Sequence, residues 1–157
     1  MRLAFLLHQT LCGAIAAAGF GILFNFSFTS LPWCALSGAV ALAVRTCCLS
    51  QGWSVEAASL AAALTVGFGT ELLRNRSEDS RSALDVVGCI PMVPGSLAAK
   101  AILSLIALTT SSMVQNSETL VAAAQYSVST IFTIGAIGTG LVIPTVLLHL
   151  RLSRRRR

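Results

Sequence analysis

The 157-residue chain is 55% hydrophobic and 11% charged, where an average soluble domain carries about 25% charged residues. Its mean hydropathy is +0.79, and eleven basic plus six acidic residues are too few to cover a core of this size with polar surface. A soluble domain, a disordered chain and a disulfide scaffold are excluded, and a two-layer α/β enzyme is a poor fit. Leu3 to Val44 and Thr119 to Leu150 contain no charged residue, and uncharged apolar runs longer than about 18 residues read as membrane-spanning.

Five of the eleven basic residues, Arg151 and Arg154 to Arg157, lie in the last seven positions and account for the net charge of +5. After an apolar span, such a tail is a cytoplasmic topology anchor against anionic lipid rather than a nucleic-acid site. The five cysteines, Cys12, Cys34, Cys47, Cys48 and Cys89, are odd in number, form no C-x-x-C and sit in apolar stretches. They read as small hydrophobes, with no metal site or disulfide framework expected.

The first span is expected from Leu3 to Phe24. Arg2, the apolar run and Ala16-Ala17-Ala18 resemble a cleavable signal, but His8-Gln9 interrupts the run and hydrophobicity continues beyond it, so an uncleaved span is expected. Asn25 to Pro32 reads as a turn. A second span runs from Trp33 to Leu49, and Ser50-Gln51-Gly52 is a short turn. A third runs from Val55 to Leu73, and Arg74 to Ser82 is a solvated loop. The fourth, Ala83 to Thr110, is interrupted by Gly88 to Ser96, and Ser111 to Glu118 is a polar turn. The fifth, Thr119 to Leu150, would be roughly 48 Å long as a helix. That exceeds a hydrocarbon core of about 30 Å, so it must tilt, project or break, with Gly135, Gly138, Gly140 and Pro144 as the places to break. The expected fold is all-α: one polytopic helical membrane domain over residues 1–157 with about five transmembrane spans. Placing Arg74, Arg76, Arg81 and the tail inside leaves the N-terminus outside. If the second span is re-entrant, the count is four and the N-terminus lies inside.

No catalytic constellation is present: His8 and His149 are far apart, and there is no phosphate-binding loop or H-x-x-x-H. The informative segment is Gly88-Cys89-Ile90-Pro91-Met92-Val93-Pro94-Gly95-Ser96. Two prolines and two glycines cannot continue one regular helix, and the freed backbone groups must be satisfied by protein, water or ligand. One reading is a packing kink. The other is a substrate site, in which a half-helix starting at Ser96 points its N–H groups at a carboxylate. Lys100 follows by about one turn. A lysine at the bilayer centre costs about 2.5 to 3.5 kcal/mol, so it either serves the site or snorkels to an interface. Ser59, Ala63 and Gly67 form a small-residue stripe. Glu71 extends that stripe and either carries a coupling proton or pairs with Arg74 or Arg76. Arg45 and Glu56 are expected to pair across their short turn, and Asp85 to cap or anchor the fourth span.

Three patches, GFGILFN at Gly19 to Asn25, LPWCALSGAVA at Leu31 to Ala41 and IPMVPGS at Ile90 to Ser96, resemble the threonine/serine exporter family. The similarity is to its C-terminal membrane domain, which also occurs as a separate small subunit, and covers nearly the whole chain. The resemblance implies a five-span unit in the cell inner membrane. It also implies a partner, a larger membrane subunit of the same family, and export of small amino acids or dicarboxylic acids. Members often carry a tyrosine four or five residues beyond the Pro-Gly pair. Here Ala99 stands there, followed by Lys100, so both substrate classes stay open. The expectation is a subunit of a secondary exporter for small carboxylate-bearing metabolites, with no cofactor and no nucleic acid. Its substrate site would be formed by Pro91, Pro94, Gly95, Ser96 and Lys100, with Glu71 as a coupling residue. The alternative is a non-transporting assembly subunit whose broken helix only packs against its partner.

Overall fold

The structure, a computed structural model, describes residues 2–74, 84–110 and 116–155. Six α-helices follow in order: α1 (Arg2–Leu23), α2 (Leu31–Ser50), α3 (Val55–Arg74), α4 (Leu84–Cys89), α5 (Gly95–Thr110) and α6 (Asn116–Arg155). A single 3₁₀ turn, Ile90–Met92, joins α4 to α5. No strand occurs among the described residues. The basic loop around residues 75–83, the turn at 111–115 and the side chains of Arg74 and Asp85 lie outside what is described. So do the expected pairing of Glu71 with Arg74 or Arg76 and the capping by Asp85.

The helix ends follow from local chemistry. Asn25 closes α1 at φ 59°. Its N–H donates to the Ile22 carbonyl and that of Phe26 to the Gly21 carbonyl, a Schellman closure with asparagine in the left-handed position. Gly52, at φ 87°, closes α2 in the same way, with Gly52 N–H on Leu49 and Trp53 N–H on Cys48. Pro32 lies inside the first turn of α2 rather than in the preceding loop, where its missing N–H costs nothing. Ser54 caps α3 through its hydroxyl, which accepts from Ala57 N–H at 3.3 Å.

α1, α2 and the single long α6 contain stretches long and apolar enough to cross a membrane, and the α4–α5 pair, bent by 50°, has the length and composition of a broken fourth span or a re-entrant loop. α3 matches α2 in length but carries Glu56, Glu71 and Arg74. The described helices thus give three to four candidate crossings, where the sequence leads one to expect about five. Of the ways to accommodate the long fifth span, breaking is not used: α6 runs unbroken through Gly135, Gly138, Gly140 and Pro144, about 60 Å at 1.5 Å per residue, which leaves tilting or projecting.

Small residues bring the helices together. An added Cβ at Gly13 on α1 would lie 2.7 Å from the Gly38 carbonyl of α2, and one at Gly38 would collide with Ala17 and Gly13. On the other side, a Cβ at Gly140 would lie 2.7 Å from Ala63, and one at Gly67 would lie 2.9 Å from Pro144. The Ser59–Ala63–Gly67 stripe is buried and is spent inside the chain, on α6. The pairs Ala63–Gly140 and Gly67–Pro144 advance together, so α3 and α6 run parallel. The residue Arg74 and the basic end of α6 therefore emerge at the same end of the bundle. Between the two seams lies a core of Ala41, Ala62, Ala63, Val66, Cys89, Met92 and Ile137.

Overpacking a close seam costs about 1–3 kcal/mol. Gly38→Val should therefore lower the melting temperature of the detergent-solubilised chain by several degrees, whereas Gly19→Ala, whose added Cβ meets nothing within 4 Å, should leave it unchanged. Equal melting of the two variants would contradict the α1–α2 seam.

Candidate functional site

The break begins where Gly88 packs against Ser37 of α2 with no room for a Cβ. Val93 N–H closes the 3₁₀ turn on the Ile90 carbonyl at 3.0 Å. Pro94 has no N–H to give. Gly95 N–H turns back to the Val93 carbonyl at 2.8 Å, and the first regular bond of α5 is Ala98 N–H to Pro94 at 2.9 Å. α5 thus starts at Gly95, one residue before the expected Ser96. In an unbroken helix the Met92 carbonyl would accept from Ser96 N–H. Here it accepts instead from Arg45 Nη1 of α2, at 2.9 Å.

The two sides of the break differ. Cys89, Met92 and Pro94 are buried, and the Met92 side chain is fully enclosed in the core. Pro91 is half-buried, while Val93, Gly95 and Ser96 are exposed. An added Cβ at Gly95 would meet nothing within 4 Å. One side is therefore dry and plugged, and the other presents open backbone at the start of a helix. Ser96 and Lys100, four residues apart, share a face of α5, and both are exposed. The Lys100 ammonium lies 5.7 Å from the ring centroid of Tyr126 on α6, within cation–π range.

Of the residues singled out in the sequence, Pro91, Pro94, Gly95, Ser96 and Lys100 lie on one continuous segment. Glu71 does not join them. It is 8% exposed and lies one turn beyond Gly67, which packs on Pro144. Tyr126, the neighbour of Lys100, is eighteen residues before Pro144, about 27 Å along α6. Lys100 and Glu71 therefore sit toward opposite ends of that helix.

The expected Arg45–Glu56 pair is not formed. Glu56 accepts a short hydrogen bond from the Ser129 hydroxyl of α6, and Arg45 turns the other way, to the break. Ser129 offers Glu56 a neutral donor within its own seam, while the orphaned Met92 carbonyl needs a donor that α4 and α5 cannot supply. Arg45 is the residue that the sequence reading missed. A signal was available: it is the one charge ending a long uncharged run, and a helix break elsewhere in the chain demands a partner for a freed carbonyl.

The chain was compared with known proteins. No solved structure matches it. A family model described as Threonine/Serine exporter, ThrE matches residues 9–147, a stretch that contains all three sequence patches, the break and Arg45. The chain thus belongs to the threonine/serine exporter (ThrE) family, a family of membrane transporters rather than enzymes.

Proposed function

We propose that this chain is the small membrane subunit of a secondary exporter for small carboxylate-bearing metabolites, threonine and serine or dicarboxylic acids. It works with a larger membrane subunit of the same family in the cell inner membrane, with its C-terminus in the cytoplasm. The observation that carries the reading is the two-sided break: a plugged inner side, and an outer side where Gly95 and Ser96 begin a half-helix three residues from a carbonyl held by a guanidinium. Free N–H groups, a positive helix end and an adjacent cation suit a carboxylate. In this reading Pro91, Pro94 and Gly95 shape the site, Ser96 and Lys100 line its α5 face, and Glu71, buried on α3 one turn beyond Gly67, is the coupling residue.

Within the chain α5 packs mainly on α6, and the exposed Ile102, Leu103, Leu105 and Ile106 form an apolar face that suits lipid or the transmembrane helix of a second subunit. The plugged side of the break favours the second reading, an assembly subunit with the path wholly in its partner. Export measurements separate the two.

Lys100→Met should preserve membrane abundance and lower export by about tenfold or more at sub-saturating substrate, the effect of losing roughly 1.4 kcal/mol. Lys100→Arg should retain part of the activity. Gly95→Leu has open space for its side chain within the chain, so it should fold and still block approach to the backbone. Normal export by both Lys100→Met and Gly95→Leu at normal abundance would remove the site from this segment.

The chain alone in liposomes should export nothing, and it should co-purify with a larger membrane protein of its family. Robust transport by the purified chain alone would overturn the two-subunit reading.

For orientation, single cysteines at Ser80 and Ser153 should resist an impermeant thiol reagent in intact cells, in a background without the native cysteines. One at Ser117 should label. Labelling at Ser80 would reverse the proposed topology.

A further inference from the structure

A second feature lies on the far side of Arg45. The first turns of α1 and the last turns of α2 border an open, mostly apolar cleft of about 470 Å³, whose apolar lining includes Phe5 and Leu6 and whose polar lining is Gln9, Arg45, Thr46 and Ser50. That volume falls within the range of small-molecule sites. The hydroxyls of Thr46 and Ser50 donate to the Leu42 and Cys47 carbonyls, each at 2.7 Å. The donors left to a ligand are then the Gln9 amide and the guanidinium. Arg45 makes one hydrogen bond among the described residues, from Nη1 to Met92. Its Nε is buried without a partner. With Nε enclosed, the donors left for the cleft are Nη2 and the second N–H of Nη1, and no carboxylate is among the residues that line it.

We infer that this cleft binds an oxyanion on Arg45, with Gln9 as the second donor. The positive charge, the uncommitted Nη donors and the lack of a counter-ion among the described residues all select a group with two or more anionic oxygens. Two sources carry that chemistry: the carboxylate of a small metabolite and the phosphate of an anionic lipid. The first rests on the export reading for the identity of the ligand, whereas the site itself does not. The same guanidinium holds the Met92 carbonyl, so an anion drawn to Arg45 acts directly on the residue that fixes the break.

The test uses the full chain with Cys12, Cys47 and Cys48 replaced, the buried Cys34 and Cys89 kept, and Leu6→Cys as a reporter in the cleft wall. In neutral detergent, about 10 mM succinate should slow modification of this thiol about fivefold or more. Succinamide and sodium chloride at matched ionic strength should not. Arg45→Gln should abolish the protection, and Gln9→Leu, which leaves the bond to Met92 in place, should weaken it. If Arg45→Gln fails to fold, Arg45→Lys takes its place and should need about threefold more succinate, having lost the planar fork. In a parallel arm without succinate, slowing in phosphatidylglycerol vesicles but not in phosphatidylcholine vesicles assigns the oxyanion to lipid. Modification rates insensitive to both succinate and phosphatidylglycerol, or protection unchanged by Arg45 substitution, would overturn the inference. Carboxylate export without protection of the cleft would defeat the cleft and leave the export reading. Arg45-dependent protection without carboxylate export would do the reverse.

Discussion

One hydrogen bond organises the centre of this molecule. Two prolines and a glycine stop the helix between α4 and α5, and the stop leaves the Met92 carbonyl without the N–H that a continuous helix would give it. In lipid such a group has no water to turn to. Arg45 supplies the donor from α2, at 2.9 Å. The contact satisfies the carbonyl and holds the 3₁₀ turn against α2, next to where Gly88 of α4 sits tightly on Ser37. It also places the charge of Arg45 beside irregular backbone. A methionine side chain in the core on one side and a guanidinium on the other fix the break between them.

The rest of the fold can be understood as two close seams around that centre. Gly13, Ala17 and Gly38 draw α1 onto α2, and Ala63, Gly67 and Gly140 draw α3 onto α6. Membrane helices gain no hydrophobic drive from meeting each other in lipid, so backbone proximity and dense packing have to supply the attraction. Small residues at spacing four make that possible, and the described core is correspondingly rich in alanine.

Much of this was legible in the chain itself. The uncharged runs located the helices, and the Pro-x-x-Pro-Gly segment located the break to within a residue of its helix start, Gly95 rather than Ser96. The small-residue stripe on α3 was visible, but its target was not. Spacing shows that Ser59, Ala63 and Gly67 share a face, and only the three-dimensional arrangement shows that the face is used by α6. Arg45 was misassigned for a similar reason. Sequence proximity favoured Glu56 across a short turn, yet Ser129, seventy-three positions away, meets that carboxylate, and Met92, forty-seven away, claims the arginine. Glycines and Pro144 in α6 suggested a fracture that did not occur. Neighbouring α3 fits closely against Gly140 and Pro144, so these residues serve packing instead.

The distribution of contacts around α5 has a mechanical consequence. This helix leans on α6 and is joined to the core through Val93 and Pro94, a link in which helical hydrogen bonding is interrupted. Everything on the core side of that link is pinned: the Met92 side chain by its neighbours, its carbonyl by Arg45. The link therefore has the build of an elbow whose upper arm is clamped and whose forearm rests on a single rail. A change in the angle of α5 needs rotation at only two residues and leaves the α1–α2 and α3–α6 seams untouched, so the cost of such a stroke falls on the contact between α5 and α6, which includes the Lys100–Tyr126 stack.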